Sequence, residues 1–411
     1  MGLNPYCTAA PERFPRRPRG GRRHNGGSSR DVPALDLHSQ RIAHFPALTG
    51  LRGVAACAVL AFHLWQFVGG PRLWLGAEAW GYPAHALAAT GFLGVDLFFV
   101  LSGFLLGLPF LAAVRGERPW PRLPTYLVRR ARRVLPALWA QIALLALLWG
   151  AFAGAVPFDL RTALLHATFL QHWVTDPGQV NPVYWTLPVE WWFYFLLPFA
   201  ALAFRWVRWW LLLALVVAGV VLFRLQCHAW LADGLFGVWS GYGQIMLLRA
   251  RFDQFFLGLL AAWFHLGLPG TRWGRAVAVA SAIAGLVALA PSLALRGDLF
   301  VRADYPWVLW HYTLTGALMA SLVYGSAGAV PWVEKLLANR AMSWLGLVSY
   351  SIYLWHYPVL EAVRRVIGFD AGRQAMAAAA AVAATLAVSW LSYRFVEAPF
   401  LREPAGGRAP S

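Results

Sequence analysis

The chain has 411 residues, of which 59% are hydrophobic and only 13% charged, and its mean hydropathy is +0.53. So little polar surface excludes a water-soluble globule and indicates a polytopic membrane protein. The net charge of +17 does not point to nucleic acid, because the arginines stand at the ends of apolar runs and in the N-terminal stretch instead of lining one soluble domain.

Residues 1–43 are rich in Arg, Pro and Gly and lack an apolar core segment, so they read as a disordered cytoplasmic tail and not as a signal peptide. Apolar runs of about 20 residues then follow. They predict an all-α protein with about ten transmembrane helices near 49–68, 90–114, 134–156, 184–204, 207–223, 246–266, 273–291, 306–327, 342–363 and 374–396. The arginine-rich tail, the 115–133 connection, Arg205 with Arg208, Arg272 with Arg275, and Lys335 with Arg340 fall on one side. By the positive-inside rule that side is cytoplasmic and holds both termini. The 364–373 loop, with Arg364, Arg365 and Arg373, is the misfit. The organisation expected is a membrane domain over 44–397 and a short cytoplasmic tail over 398–411, with no further soluble domain. Cys7, Cys57 and Cys227 have neither a disulfide framework nor metal-ligand spacing, so no metal is expected.

The first span, RGVAACAVLAFH, holds Arg52 and His63 eleven positions apart. At 100° per residue the two side chains share one helix face, about 16 Å apart along the axis. Arg and His are costly in hydrocarbon and usually face a protein interior or a wet cavity, which makes the pair a candidate site. The alternative is that Arg52 marks the membrane border and His63 is a satisfied core histidine.

Helix direction permits a depth estimate. His63 and His356 each lie about 21 Å from the cytoplasmic end of outward-running spans, and Asp96 and Glu190 sit about 9 Å below the outer face in inward-running ones. In a core of about 30 Å these four groups fall in one layer. A shared active site explains that coincidence; an interfacial role for His356 and arginine neutralisation by either carboxylate remain open.

In YLVRRARRVLP, Arg129, Arg130, Arg132 and Arg133 precede the third span. The planar guanidinium fork suits bidentate phosphate contacts, although basic anchoring would also place arginines here. The segment WTLPVEWWFY surrounds Glu190 with rings. It reads as an interfacial aromatic belt or as the wall of a sugar site beside a carboxylate.

These segments resemble the integral-membrane acyltransferase type 3 family. The resemblance rests on LTGLRGVAACAVLAFH, FLGVDLFFVLSGFLL, an Arg-x-x-Arg before proline (Arg130, Arg133, Pro136), YWTLPVEWWFY and LGLVSYSIYLWHYPVL, in that order. It implies a ten-helix protein that transfers an acyl group, most simply acetyl, from acyl-CoA to a hydroxyl of a carbohydrate or surface glycan in a bacterial cytoplasmic membrane. By position His63 matches the catalytic histidine, Arg52 its motif partner, Arg130 and Arg133 the donor-binding pair, and Trp185, Leu187 and Glu190 the tryptophan-to-glutamate motif. His63 is then the expected general base, with Asp96 or Glu190 orienting its ring. Trp185, Tyr350 and His356 are the expected substrate contacts, and no metal or nucleic acid is implied. The C-terminal esterase-like domain of larger relatives is not expected here. A proton-coupled secondary transporter of a sugar or anionic solute is the rival, since intramembrane His, Asp and Glu also build proton relays.

Overall fold

The computed structural model describes residues 45–76, 82–153, 157–174, 176–232, 247–268, 270–295 and 307–401. The predicted tail over 1–43 and the last ten residues of the chain lie outside these. Among the described residues the chain is helical apart from turns, loops and an isolated bridge between Leu75 and Tyr82. Its long helices are α1 (Pro46–Phe67), α2 (Leu93–Val114), α3 (Leu123–Ala153), α4 (Thr186–Ala203), α5 (Trp209–Ala232), α6 (Leu248–Gly267), α7 (Arg272–Leu295), α8 (Trp307–Ser326), α9 (Ser349–Val366) and α10 (Gln374–Ser392).

Every predicted span has a helix at its place, but not every helix has the composition of a span. Among the described residues seven segments are long and apolar enough to cross a membrane, and an eighth is added if α8 and the helix Pro331–Leu337, bent 103° from it, count as one. The two long helices left over are α6 and α9. Helix α6 carries Arg249, Arg251 and Asp253, and α9 carries Glu361, Arg364 and Arg365. Residues 253–262 of α6 are all buried, so this helix is solvated by other helices and needs no apolar surface toward lipid.

Small residues set how closely the helices pack. A Cβ on Gly103 of α2 would stand 2.0 Å from the Phe255 carbonyl oxygen, and one on Gly258 of α6 would stand 2.1 Å from that of Val100. Helices α2 and α6 therefore cross backbone to backbone. Helix α1 is gripped in the same way by the short helix Arg340–Leu347, where a Cβ on Gly53 would meet the Gly346 nitrogen at 2.9 Å. Ten residues further along both segments His63 meets His356. That shared offset, about 15 Å of helical rise, shows that α1 and the 340–366 segment run parallel in one register.

Helix α9 contains Pro358, which has no N–H to offer the carbonyl of Leu354 four residues earlier. That carbonyl accepts instead from Gln141 Nε2 of α3 at 2.7 Å and from Asn181 Nδ2 at 3.0 Å. Tyr184 then donates to Gln141 Oε1 at 2.6 Å. A local defect in α9 has become its anchor to α3 and to the 3-10 turn Pro182–Trp185, one turn from His356.

A candidate active site between an arginine cavity and a histidine pair

A cavity of about 130 Å³ opens between α1, α2, α3, α4 and α9. Its walls include Arg52, Arg130, Arg133, Glu190, Tyr350 and Tyr353, five of which are among the site residues expected from sequence. On α3 the positions Arg130, Arg133 and Val134 face inward, as residues three and four apart must on one helix face, while Arg129 and Arg132 are exposed. The four arginines thus divide as the Arg-x-x-Arg alignment requires.

Buried partners hold Arg133 in place. Arg133 Nη1 pairs with Glu397 Oε2 at 3.0 Å, and its guanidinium carbon lies 5.8 Å from the centre of the Tyr350 ring. Ser351 donates to the other Glu397 oxygen, and Tyr350 donates to the Val134 carbonyl at 2.8 Å. Across the cavity Ser102 donates to Glu190 Oε1 at 2.6 Å. Arg130 Nε is buried without a hydrogen-bond partner among the described residues, a donor left for a group that enters the cavity. Tyr350, expected as a substrate contact, belongs to this arginine end.

The histidines meet outside the cavity lining. His356 Nε2 and His63 Nδ1 are 3.1 Å apart, and His356 is fully buried. Tyr353 connects the two regions: its ring lies in the cavity wall and 5.8 Å from that of His356. Thr186 donates to the Tyr353 hydroxyl at 2.8 Å, which donates in turn to the Val183 carbonyl at 2.8 Å.

The carboxylates bond to partners other than the imidazoles. Among the described residues neither Asp96 nor Glu190 is hydrogen-bonded to either imidazole. Asp96 is buried against Arg251 at 3.2 Å and accepts from Thr315 at 3.1 Å. Arg251 in turn lies over the Tyr312 ring at 3.4 Å and near Trp185 at 5.6 Å. Trp185, expected to touch substrate, packs there and against Phe99. Beside this group Arg224 forms a fully buried ion pair with Asp253 at 2.9 Å. Rise along a helix fixes the height of a side chain but not the side of the bundle it enters, which is why the histidines converge and the carboxylates do not. Asp96 thus pairs with Arg251, and Glu190 lines the cavity together with the arginines.

Glu397, Tyr353 and Ser102 were not singled out from sequence. Glu397 stands where the last apolar run breaks in YRFVEAPF, a position that reads equally well as the start of a tail.

The family model of the acyltransferase type 3 proteins, described as an acyltransferase domain, matches residues 45–394. The chain belongs to that family. It is 26% identical over 377 residues to the peptidoglycan O-acetyltransferase OatA of Listeria monocytogenes, an alignment covering 87% of this chain and 56% of the relative. It is 23% identical over 396 residues to a putative O-acetyltransferase of Staphylococcus aureus, covering 89% and 58%. The chain thus spans little more than half the length of these relatives. With the exopolysaccharide production protein ExoZ of Rhizobium meliloti it shares 31% identity over 350 residues, covering 79% of this chain and 95% of the relative. No solved structure matches the chain. Membership in an acyltransferase family favours group transfer over the transporter reading.

Proposed function

We propose that this acyltransferase moves an acetyl group from acetyl-CoA to a hydroxyl of a surface polysaccharide, in a bacterial cytoplasmic membrane with the arginine end facing the cytoplasm. The observation that carries the reading is the cavity itself: three arginines gather at one end of a helix whose histidine lies about 16 Å further along it. Guanidinium forks suit the phosphates of a CoA head, and the buried Arg130 Nε offers a donor without a partner among the described residues. The apolar stretch of the cavity, lined by Phe98, Leu101 and Leu105, suits the pantetheine arm.

Beyond the cavity wall, further along the helix that carries Arg52, His63 would accept the proton of the acceptor hydroxyl as its oxygen attacks the thioester carbonyl. The C–O bond forms, the C–S bond breaks, and the imidazolium returns the proton to the departing thiolate. Glu190, close to the arginines, is placed to shape the donor end of the cavity and not to serve as the base. The acceptor class rests on the names of relatives associated with peptidoglycan and exopolysaccharide.

The test is to mix the purified full-length protein in detergent with acetyl-CoA and either peptidoglycan fragments or exopolysaccharide oligomers. Release of free CoA together with ester-linked acetate on the glycan is expected. Absence of both with either acceptor, by protein that binds CoA, would refute the transfer.

A further inference from the structure

Both imidazoles fold back on the preceding turn of their own helices. His63 Nδ1 lies 3.0 Å from the Val59 carbonyl oxygen, and His356 Nδ1 lies 3.0 Å from that of Ile352. A carbonyl oxygen only accepts, so each Nδ1 carries a proton. His356 Nε2 faces His63 Nδ1 at 3.1 Å, and two N–H groups cannot meet at that distance. His356 Nε2 is therefore a lone pair, its ring is neutral, and the His63 Nδ1–H is shared between Val59 and His356. In the neutral His63 ring the other nitrogen, Nε2, is then the one without a proton.

Resting on the reading of His63 as the base, we propose that His356 is a positioning residue that locks His63 in its Nδ1–H tautomer and so presents Nε2 to the acceptor hydroxyl. His356 is fully buried, which removes it from direct contact with a glycan and suits it to act through its neighbour. The ring nitrogen that stays basic in a histidine is set by the hydrogen bond its other nitrogen makes. In many hydrolases a carboxylate supplies that bond; here a second, neutral imidazole does. When His63 takes the proton, its Nδ1–H remains bonded to His356 Nε2, so the new charge keeps both of its partners. Pro358 and its two donors to Leu354 fix the turn of α9 that carries His356, and the glycine contact between α1 and 340–347 fixes the register that brings the rings together.

Full-length His356→Gln and His356→Met separate positioning from packing, because the side chains have the same length and only Gln offers a strong acceptor oxygen near the place of Nε2. His356→Met is expected to lower kcat about 100-fold with the KM for acetyl-CoA unchanged, and His356→Gln to recover at least tenfold of that loss. In ¹⁵N-histidine-labelled protein, the His63 resonances, assigned by their loss in His63→Gln, should show Nδ1 protonated and Nε2 bare in the wild type and His356→Gln, and a mixture of tautomers in His356→Met. Equal kcat in the Gln and Met variants, or a wild-type His63 protonated on Nε2, overturns the proposal. The resonances decide the tautomer even if His356→Met does not fold. A wild-type protein with the stated tautomer but no acetyl transfer would overturn the proposed function instead.

Discussion

Arg133 Nη1 and Glu397 Oε2 lie 3.0 Å apart across 264 positions of sequence, which ties the π-helical turn Tyr393–Glu397 that follows α10 to the arginine end of the cavity. Glu397 is buried, with 1% of its side chain exposed, so truncating it leaves a cation without its partner. Glu397→Ala should cost about 3 kcal/mol, and Glu397→Gln, which keeps an acceptor for Arg133 and for Ser351, clearly less. A phosphate of the donor could take the place of the lost carboxylate. Added CoA should therefore raise the Tm of Glu397→Ala more than that of the wild type, and a smaller rise would count against Arg133 as a donor contact.

The helices were legible because apolar runs of membrane length leave few alternatives for the backbone, and Arg52 and His63 declared themselves by being polar inside one. The family resemblance, through its Arg-x-x-Arg before proline, singled out Arg130 and Arg133, and these are the two that line the cavity. What the sequence hid was azimuth. Helix rise puts Asp96 level with His63 as an expectation, yet Asp96 pairs with Arg251, and nothing in its neighbours along the chain shows that. Glu397 was equally hidden, because its partner lies on a helix far away in sequence. Pro358 leaves the Leu354 carbonyl without its helical donor, and the groups that replace it, Gln141 and Asn181, come from elsewhere in the chain.

The division of the arginines on α3 gives a direct contrast. Arg130→Ala and Arg133→Ala should each weaken acetyl-CoA binding by about 1.5–3 kcal/mol, the scale of a hydrogen bond to a charged group. Arg129→Ala and Arg132→Ala, on the exposed face, should change it by about 0.5 kcal/mol or less. Calorimetric titration with CoA reads all four, and equal losses would reduce the cluster to a generic basic surface.

Removing the base should affect chemistry without affecting the grip on the donor. His63→Ala is expected to lower kcat by about 10²–10⁴-fold. The Kd for CoA should stay near the wild-type value, because the arginine end lies about 16 Å away along α1. Turnover close to wild type would exclude His63 as the base.

Asp96 should behave as a structural residue. Asp96→Ala removes a buried ion pair with Arg251 and the acceptor of the Thr315 hydroxyl, so it is expected to cost about 3–5 kcal/mol and to yield little folded protein. Asp96→Asn, which keeps an acceptor, should fold with a lowered Tm and a pH–rate profile of unchanged shape. A displaced acid limb in Asp96→Asn would restore the carboxylate to the catalytic machinery.

The repaired defect in α9 can be tested by a double-mutant cycle. Gln141→Leu keeps the side-chain volume but removes a donor to the Leu354 carbonyl and the acceptor of the Tyr184 hydroxyl. It should cost about 1–3 kcal/mol. Pro358→Ala restores the helical N–H four residues beyond Leu354, so that carbonyl regains a partner from its own helix. In the Pro358→Ala background Gln141→Leu should therefore cost less, by about 1 kcal/mol, and Tm values of the four proteins give the coupling. Because the anchor also fixes the turn holding His356, Gln141→Leu should lower kcat in the wild-type background with the KM for acetyl-CoA unchanged. A cycle that closes with no coupling would show that Gln141 stabilises the bundle by packing alone.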